Sequence, residues 1–255
     1  MSRVRSAVIL AAGHGSRLGP ITAAKPKPLL LVAGQPLLER QIVQMLSRGI
    51  EVITVVAGFR ADLVRSAVLA AGRWDRHARL SVVENRESAT TGTGRSLIVA
   101  GSAFTANDPV LLAHGDIIYA DQILDRCLEQ PGATTAADRT WKRETGDEVL
   151  VWSRGGIALR LAKGESPGPQ EHGEFIGLSV LPPEFALPFL NYCRDRVGVD
   201  PSLNYEVPLL SDFLPVAPMS CSVSYMEHLP WVNINVEADL LRARRDFEDP
   251  VATRG

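Results

Sequence analysis

The sequence predicts an α/β fold with a mixed, mostly parallel sheet and helices on both faces. In the first half of the chain, short apolar runs of the kind that form buried strands alternate with segments of helical periodicity. The connections are short, and this alternation places strands side by side in parallel. Of the 255 residues, 45% are hydrophobic and 22% charged, as in a soluble protein with a sizeable core. We expect a single domain over residues 1–255.

The first half is expected to form strands and helices in turn. Apolar runs predict strands at 6–12, 52–58, 80–85 and 109–116. Helical periodicity predicts helices at 37–48 and 61–72, the first ending near Gly49 as a C-cap. A glycine loop that runs into a helix is expected at 91–104.

The second half has a different pattern. Two apolar segments predict a hairpin that turns at residues 154–156, Arg-Gly-Gly. Residues 164–175 are rich in glycine, proline and charge, and we expect a mobile loop there. A strand is predicted at 175–181, a last helix at 236–247 and a frayed tail after it.

Charge and cysteine content limit the class of protein. A formal net charge of −2 argues against bulk electrostatic binding to nucleic acid or to acidic membranes. The three cysteines are far apart and form no CxxC pair, so we expect buried free thiols and a cytoplasmic protein. The apolar run at 7–12 follows basic residues but is too short for a signal peptide, and no segment resembles a membrane span. The sequence leaves a homodimer open.

The most informative stretch follows the first strand, where "GHGSR" at 13–17 is followed by "KPKP" at 25–28. Ligands bind beyond the carboxyl ends of strands in open α/β sheets, and glycines let backbone N–H groups approach an oxyanion there. Arg17 and Lys25, with Lys27 as a candidate third cation, would supply fixed charge, and Ser16 a hydroxyl donor. Such a site suits a triphosphate and a transition state in which charge grows at phosphorus.

Three other interpretations explain this stretch less well. A tight turn followed by a solvated basic loop explains the glycines but not the two Lys-Pro pairs. A dinucleotide-binding loop would need a third glycine where Leu18 stands, and an acidic residue after the second strand. A Walker P-loop would need a Gly-Lys-Ser/Thr run, which is absent.

The stretch "LAAGHGSRLGP…KPKPLL" resembles the signature of the nucleotidyltransferases that activate sugar phosphates and related phosphorylated alcohols. The resemblance implies a GT-A-like, Rossmann-like fold, a nucleoside triphosphate and Mg²⁺. It also implies attack of a substrate phosphate on the α-phosphate, with pyrophosphate leaving, and catalytic roles for Arg17 and Lys25. The nucleotide-binding residues that it implies are Leu10, Ala11, Ala12, Gly13, Gly15, Ser16, Thr91, Gly92, Thr93, Ser96 and Gly115.

Two later motifs fall in the order that this family shows. "TGTGRSL" at 91–97 resembles the loop that reads the base, where glycines would let the backbone approach a flat ring and Ser96 would open a helix. The alternative is an ordinary helix start capped by Thr93. In "LLAHGD", Asp116 resembles the first magnesium ligand rather than a turn former, and we interpret His114 as a core residue more readily than a substrate contact.

"WVNINVEADLLRA" at 231–243 resembles the closing motif of the family, in which an aspartate completes the metal site. This chain carries Asn235 at that position and Asn233 in place of the preceding acid. An amide oxygen can bind Mg²⁺ without contributing charge, so we expect Asn235 to be the second metal ligand. The alternative is that Asn235 caps the helix that follows.

The nucleotide and the acceptor are suggested by "GEFIGLSVL" at 173–181, which resembles a strand of bacterial cytidylyltransferases for choline phosphate and similar phosphorylated or phosphonylated alcohols. By this resemblance Lys163, Glu174 and Glu206 would bind the acceptor, and CTP would be the nucleotide. The alternative for the two glutamates is a solvated edge. Other functions left open are a sugar-1-phosphate nucleotidyltransferase that uses UTP, GTP or dTTP, an inactive nucleotide-binding regulatory subunit and a GT-A glycosyltransferase.

Overall fold

The protein is described by a computed structural model that covers residues 3–140, 146–165 and 171–248. Its strands are β1 Ser6–Ala11, β2 Leu31–Val32, β3 Gln35–Pro36, β4 Val52–Ala57, β5 Arg79–Glu84, β6 Val110–His114, β7 Ile117–Tyr119, β8 Ala133–Asp138, β9 Val149–Arg154, β10 Ile157–Lys163, β11 Glu171–Leu181, β12 Cys221–Tyr225 and β13 Trp231–Asn233. Its α-helices are α1 Leu37–Leu46, α2 Ala61–Ala71, α3 Thr93–Val99, α4 Asp121–Glu129, α5 Pro183–Val199, α6 Leu209–Phe213 and α7 Glu237–Glu248.

One nine-stranded sheet runs through both halves of the chain in the order β5-β4-β1-β6-β11-β8-β12-β10-β9. Strands β5, β4, β1 and β6 are mutually parallel, as the alternating pattern predicts. β11 lies antiparallel between β6 and β8, and the β9–β10 hairpin continues the antiparallel part. The predicted α/β fold with a mixed sheet is confirmed, but the sheet is not mostly parallel, since antiparallel pairs are as common as parallel ones and the parallel pairs lie mainly in the first half.

Helices cover both faces of the sheet, as predicted. On one face, buried side chains of α1, α2 and α4 pack against Ile9 and its neighbours. On the other, α3, α5 and α6 pack against Val8, the next residue along β1. Successive residues of a strand point to opposite faces, so a continuous apolar run is needed where both faces are covered.

The second half departs from the prediction in one segment. Residues 171–175, expected in a mobile loop, form the start of β11 and pair with β9 through Gly173↔Val151. The rest of that expected loop, at 166–170, and the expected tail after residue 248 lie outside the described residues. The hairpin at 154–156 and the last helix are confirmed.

The expectation of buried free thiols is also confirmed. Cys127, Cys193 and Cys221 are buried and unpaired, and burial raises the pKa of each thiol to about 12. Thiols held protonated in this way react poorly. In the described part of the chain, no helix has the length and apolar character needed to cross a membrane.

Candidate active site

The two residues proposed as metal ligands are brought together by a short antiparallel ribbon. Strands β7 and β13 pair with Asn233 opposite Ile117, and the Ile234 backbone N–H donates to the Asp116 carbonyl at 2.9 Å. Asp116 directly precedes β7. Asn235 is separated from the end of β13 by one residue, Ile234. Residues 119 positions apart in sequence therefore present their side chains to one site.

The ammonium group of Lys27 lies between these two side chains. Its Nζ is 2.9 Å from Asp116 Oδ2 and 3.1 Å from Asn235 Oδ1. The Lys27 side chain is only 10% exposed, and the residue begins a short 3₁₀ turn over Lys27–Leu29. Lys25, which the sequence put forward as the catalytic lysine, is half-buried and forms no ion pair within the described chain. Of the two lysines in the Lys-Pro pairs, residue 27 is therefore the one that reaches the carboxylate, and the catalytic role expected of Lys25 stays a prediction.

The charge of Asp116 is maintained although the side chain is partly buried. Burial alone would raise the pKa of this carboxyl, but the positive charges of Lys27 and His114 and the hydrogen bond from Lys27 hold it below its ordinary value. Asn235 is not used as a helix cap. Asp239 takes that role, since its Oδ2 accepts the backbone N–H groups of Asn235 at 2.8 Å and Val236 at 2.9 Å. The Asn235 amide oxygen instead accepts hydrogen bonds within the site.

Arg17 joins the same network from the glycine loop. Its Nη2 donates to Asn235 Oδ1 at 3.2 Å, and its Nη1 pairs with Asp147. The other Asp147 oxygen lies 3.1 Å from Lys163 Nζ. The predicted cations Arg17 and Lys163 are thereby linked through Asp147, a residue that sequence reasoning missed because no motif surrounds it.

The residues expected to bind phosphate surround a small cavity beyond the end of β1. Its volume is about 60 Å³, and Gly15 beside it has a φ of +65°, a conformation that favours glycine. The Gly115 N–H donates to the Leu10 carbonyl at 2.8 Å and ties the β6–β7 turn to β1. The cavity is lined by Leu10, Ala11, Gly13, Gly15, Lys27, Pro28, Gly115 and Asp116. Among the other predicted residues of this loop, Ala12 is buried and Ser16 exposed.

The glycines of the predicted base loop pack against the protein itself. A Cβ on Gly92 would lie 2.3 Å from the carbonyl oxygens of Ser202 and Leu203, and one on Gly94 would lie 2.7 Å from that of Leu203. The Gly92 N–H donates to the Pro201 carbonyl at 2.9 Å. Close packing against residues 201–203 therefore gives these glycines a structural role, and the expected contact with a base stays a prediction.

Ser96 and Thr93 also differ from expectation. Helix α3 begins at Thr93, so Ser96 lies inside it, buried, and its Oγ accepts from Asn85 Nδ2 at 3.0 Å. Thr93 does not cap the helix, since its Oγ1 donates to Glu206 Oε2 at 2.9 Å. Thr91, which is half-buried, donates its hydroxyl to the Glu87 carbonyl at 2.9 Å.

Glu206 lies in a buried polar cluster rather than at a solvated edge. Its Oε1 is 3.1 Å from His114 Nε2, which is 2.6 Å from the Tyr205 hydroxyl. Burial alone would lower the pKa of His114, but the hydrogen bond and charge of Glu206 raise it above its ordinary value. His114, a member of this cluster, directly precedes Gly115 and Asp116 in the sequence. His114, which the sequence predicts to be a core residue, is mostly buried, but its neighbours Glu206 and the Tyr205 hydroxyl are polar.

A second cavity, of about 210 Å³, lies beside Asn235, and its lining contains five acidic residues together with Arg242 and His114. The Trp231 indole N–H donates to Asp138 Oδ2 at 2.9 Å, which fixes the indole against the wall. Glu174, predicted to bind the acceptor substrate, lines this cavity. Lys163, predicted to do the same, does not line the cavity itself but pairs with Asp147, which does. The carboxylates that line the cavity are Asp138, Asp147, Glu148, Glu174 and Asp239. A larger cavity of about 790 Å³, at the amino ends of β1 and β6, contains none of the predicted site residues.

The side chains at the centre of the site fit a magnesium ion in kind. Asp116 and Asn235 offer one carboxylate and one amide oxygen, both hard ligands. Mg²⁺ commonly binds through one or two protein oxygens and completes its shell with substrate phosphates and water. Within the described residues, no group of three or more His, Cys, Asp or Glu side chains could hold a metal ion. The donor set therefore suits an ion that is shared with a nucleotide.

Comparison with known proteins identifies the family. Residues 7–171 match the MobA-like NTP transferase domain. The chain is 29% identical over 252 residues, 96% of its length, to CMP-5'-(3-aminopropyl)phosphonate synthase of Streptomyces rubellomurinus, and spans 39% of that protein. It is 28% identical over 161 residues, 63% of its length, to 2-aminoethylphosphonate cytidylyltransferase of Lancefieldella rimae, and spans 62% of that protein.

The fold has a counterpart among solved structures. The structure of CTP:phosphocholine cytidylyltransferase from Streptococcus pneumoniae superposes with a TM-score of 0.72 at 21% identity, over 96% of this chain and 99% of that one. The match with the NTP transferase domain covers well over half of the chain and includes the glycine loop, both Lys-Pro pairs and Asp116. The chain belongs to the MobA-like NTP transferase family.

Proposed function

We propose that this chain is a cytidylyltransferase, acting as one nucleotidyltransferase unit, that transfers CMP from CTP to a small aminoalkyl phosphonate or phosphate and releases pyrophosphate. The observation that carries the proposal is the position of the acidic cavity beside the cationic network. Lys27, Arg17 and Lys163 would hold anionic phosphorus groups, and the carboxylates beyond them would hold a positive charge. An acceptor with an anionic head and a cationic tail satisfies both.

The cationic part of the site would bind the reacting groups. An oxygen of the acceptor phosphonate attacks the α-phosphorus of CTP, a new P–O bond forms, and the bond to the β-phosphate breaks with its electron pair leaving on pyrophosphate. Negative charge grows on the phosphoryl oxygens during this step. The ammonium of Lys27 and the guanidinium of Arg17, which lie beside Asp116, Asn235 and Asp147 in the structure, would stabilise that charge.

Magnesium fits the proposal as a partner of the nucleotide. Asp116 and Asn235 would hold it, and it would neutralise phosphate charge and orient the triphosphate. The contribution of the chain is one negative charge and one neutral oxygen, which leaves most of the coordination to CTP.

The acidic cavity favours an amine at the far end of the acceptor. Asp138 and Glu174 lie on adjacent strands in register, so their backbones face each other across the β8–β11 pair. Phe175 and Trp231 add aromatic surface to the same wall. Carboxylates and aromatic rings attract ammonium groups, whereas the hydroxyl-rich ring of a hexose phosphate offers no positive charge.

The choice of CTP is supported by relatives. The two sequence relatives named above are a CMP-aminopropylphosphonate synthase and an aminoethylphosphonate cytidylyltransferase. The stretch "GEFIGLSVL" forms all of β11 after its first two residues and provides Glu174 and Phe175 to the cavity. The three buried free thiols support an intracellular, reducing location for the reaction.

The proposal is tested by pyrophosphate release. The enzyme is assayed with each of CTP, UTP, GTP and dTTP against 2-aminoethylphosphonate, 3-aminopropylphosphonate, phosphocholine, ethylphosphonate and glucose 1-phosphate. We expect turnover with CTP and the amine-bearing acceptors, and much less with ethylphosphonate, which lacks the amine. Preference for glucose 1-phosphate with UTP or dTTP would indicate a sugar-phosphate enzyme. Nucleotide binding without turnover would indicate a regulatory subunit.

A further inference from the structure

The loop that carries Asp116 is tied to the protein through its backbone. Between β6 and β7, the Gly115 N–H donates to the Leu10 carbonyl at 2.8 Å, and the Asp116 carbonyl accepts from the Ile234 N–H at 2.9 Å. These bonds attach the loop to β1 on one side and to the β7–β13 ribbon on the other. The carbonyl groups of His114 and Ile117, which flank the loop, require a separate partner because buried polar groups are costly to leave unpaired.

Gln41, on helix α1, provides that partner for both carbonyls. Its Nε2 donates to the His114 carbonyl at 3.0 Å and to the Ile117 carbonyl at 2.8 Å. The residue is only 1% exposed. A primary amide has two N–H groups, and both are used here. One side chain therefore holds the backbone on either side of Gly115 and Asp116.

The oxygen of the Gln41 amide indicates that the residue is needed for its two donors. Its Oε1 is buried and has no hydrogen-bond partner among the described residues. An unpaired buried acceptor destabilises the folded protein, and an apolar side chain at this position would avoid that cost. Rotation of the amide by 180° would place oxygen against two carbonyls, so the orientation is fixed by chemistry. Glutamine is thus suited to this position by its two donors.

We infer that Gln41 is a positioning residue for the metal and α-phosphate site, acting on Asp116 through the backbone of the β6–β7 loop. This inference rests on the proposed function, since it assumes that Asp116 binds the ion that accompanies CTP. Gln41 contacts no substrate. Without its two donors, the flanking carbonyls would turn to find other partners. The Asp116 carboxylate would then lose its fixed position relative to Lys27 and Asn235.

The same helix provides a matched control. Gln44, three residues further on, is also buried, and its Oε1 also lacks a partner among the described residues. Its Nε2 donates to the Tyr119 carbonyl at 3.1 Å and to Asp121 Oδ1 at 2.6 Å. Replacing Gln44 by methionine removes two hydrogen bonds from the same helix, as Gln41→Met does. Its acceptors lie at the far end of β7, away from Asp116.

The test compares Gln41→Met with Gln44→Met. Thermal denaturation gives the stability of each variant, and both should melt at lower temperature by similar amounts. Binding of Mn²⁺ in the presence of the non-transferable analogue α,β-methylene-CTP is measured by calorimetry, and the half-saturating Mg²⁺ concentration by kinetics. Residues that orient metal ligands commonly affect affinity or activity by about 10- to 100-fold. We expect Gln41→Met to weaken Mn²⁺ binding and lower kcat by about 10-fold or more, and Gln44→Met by less than about twofold.

Equal effects of the two substitutions on Mn²⁺ binding would overturn the inference, as would unchanged Mn²⁺ binding in Gln41→Met. If Gln41→Met does not fold, Gln41→Glu keeps the shape of the side chain and replaces the two N–H donors by at most one O–H, and the same comparison applies. The proposed function fails separately: wild-type protein would then transfer no CMP, while Mn²⁺ binding with the CTP analogue would still distinguish Gln41 from Gln44.

Discussion

The ammonium nitrogen of Lys27 lies 2.9 Å from the carboxylate of Asp116, on the same two oxygens that a metal ion would use. A lysine and a divalent cation cannot both occupy that position. We therefore expect the Lys27 side chain to turn toward the phosphates when CTP and Mg²⁺ bind. This arrangement links metal binding to nucleotide binding and leads to the first prediction.

Magnesium should bind weakly to the protein alone and enter largely with the nucleotide. The protein contributes one negative charge, on Asp116, and Lys27 neutralises it. Calorimetric titration with Mg²⁺, with and without CTP, measures the difference. Asn235→Asp should tighten metal binding, and Asp116→Ala should abolish turnover. Tight binding to the protein alone, or an active Asp116→Ala enzyme, would place the metal elsewhere.

The second prediction concerns the two lysines of the Lys-Pro pairs. Lys27→Ala should lower kcat/KM by about 10²-fold or more, because it removes a fixed cation from charge developing at phosphorus. Arg17→Ala should have an effect of the same order. Lys25→Ala is the matched control and should change kcat/KM by less than about tenfold, since Lys25 does not reach Asp116. A larger loss in Lys25→Ala than in Lys27→Ala would contradict the assignment.

The third prediction concerns Asp147, whose carboxylate pairs with both Arg17 and Lys163. Anionic ligands must compete with it for these cations. Asp147→Asn should therefore lower the Kd of CTP by about twofold to fivefold, the range expected for an exposed ion pair. Glu165→Gln is the control, since Glu165 pairs with Arg160 away from the site. Fluorescence or calorimetric titration decides it, and weaker binding in Asp147→Asn would show that this carboxylate supports the site instead.

The fourth prediction separates glycines that pack from glycines that bind. A Cβ at Gly92 would meet two carbonyl oxygens at 2.3 Å, so Gly92→Ala should cost about 1–3 kcal/mol of folding free energy. No atom lies within 4 Å of a Cβ built on Gly13. Gly13→Ala should therefore melt at the wild-type temperature but bind CTP more weakly. The opposite result, a stable Gly92→Ala or an unstable Gly13→Ala, would reverse the two roles.

Sequence reasoning succeeded where the signal was local. The apolar runs that become β1, β4 and β6 predict buried parallel strands because both faces of the sheet are covered there, whereas β5 is a half-exposed edge strand. The pairing of Asp116 with Asn235 was expected from motif order, and the β7–β13 ribbon brings them together.

The rest depends on contacts between distant segments. Lys25 and Lys27 are equivalent in the sequence pattern, and only the turn over Lys27–Leu29 decides which one reaches Asp116. Gln41 meets carbonyls that lie 73 and 76 residues away. Its only local signal is a polar residue on the apolar side of a helix. The glycine pattern at 91–97 predicts ligand contacts because the residues that these glycines pack against, 201–203, lie far along the chain and give no local signal.

The central claim is that the site joins an anionic phosphorus group to CMP while holding a positive charge beyond it. The most direct measurement is ³¹P NMR of the enzyme with CTP, Mg²⁺ and 2-aminoethylphosphonate. We predict the resonances of a phosphonate–phosphate anhydride and of pyrophosphate, appearing together and in equal amounts. The same experiment with ethylphosphonate, or with UTP, should give much slower product formation. Product formed equally fast with ethylphosphonate, or preferentially with UTP and a hexose phosphate, would contradict the claim.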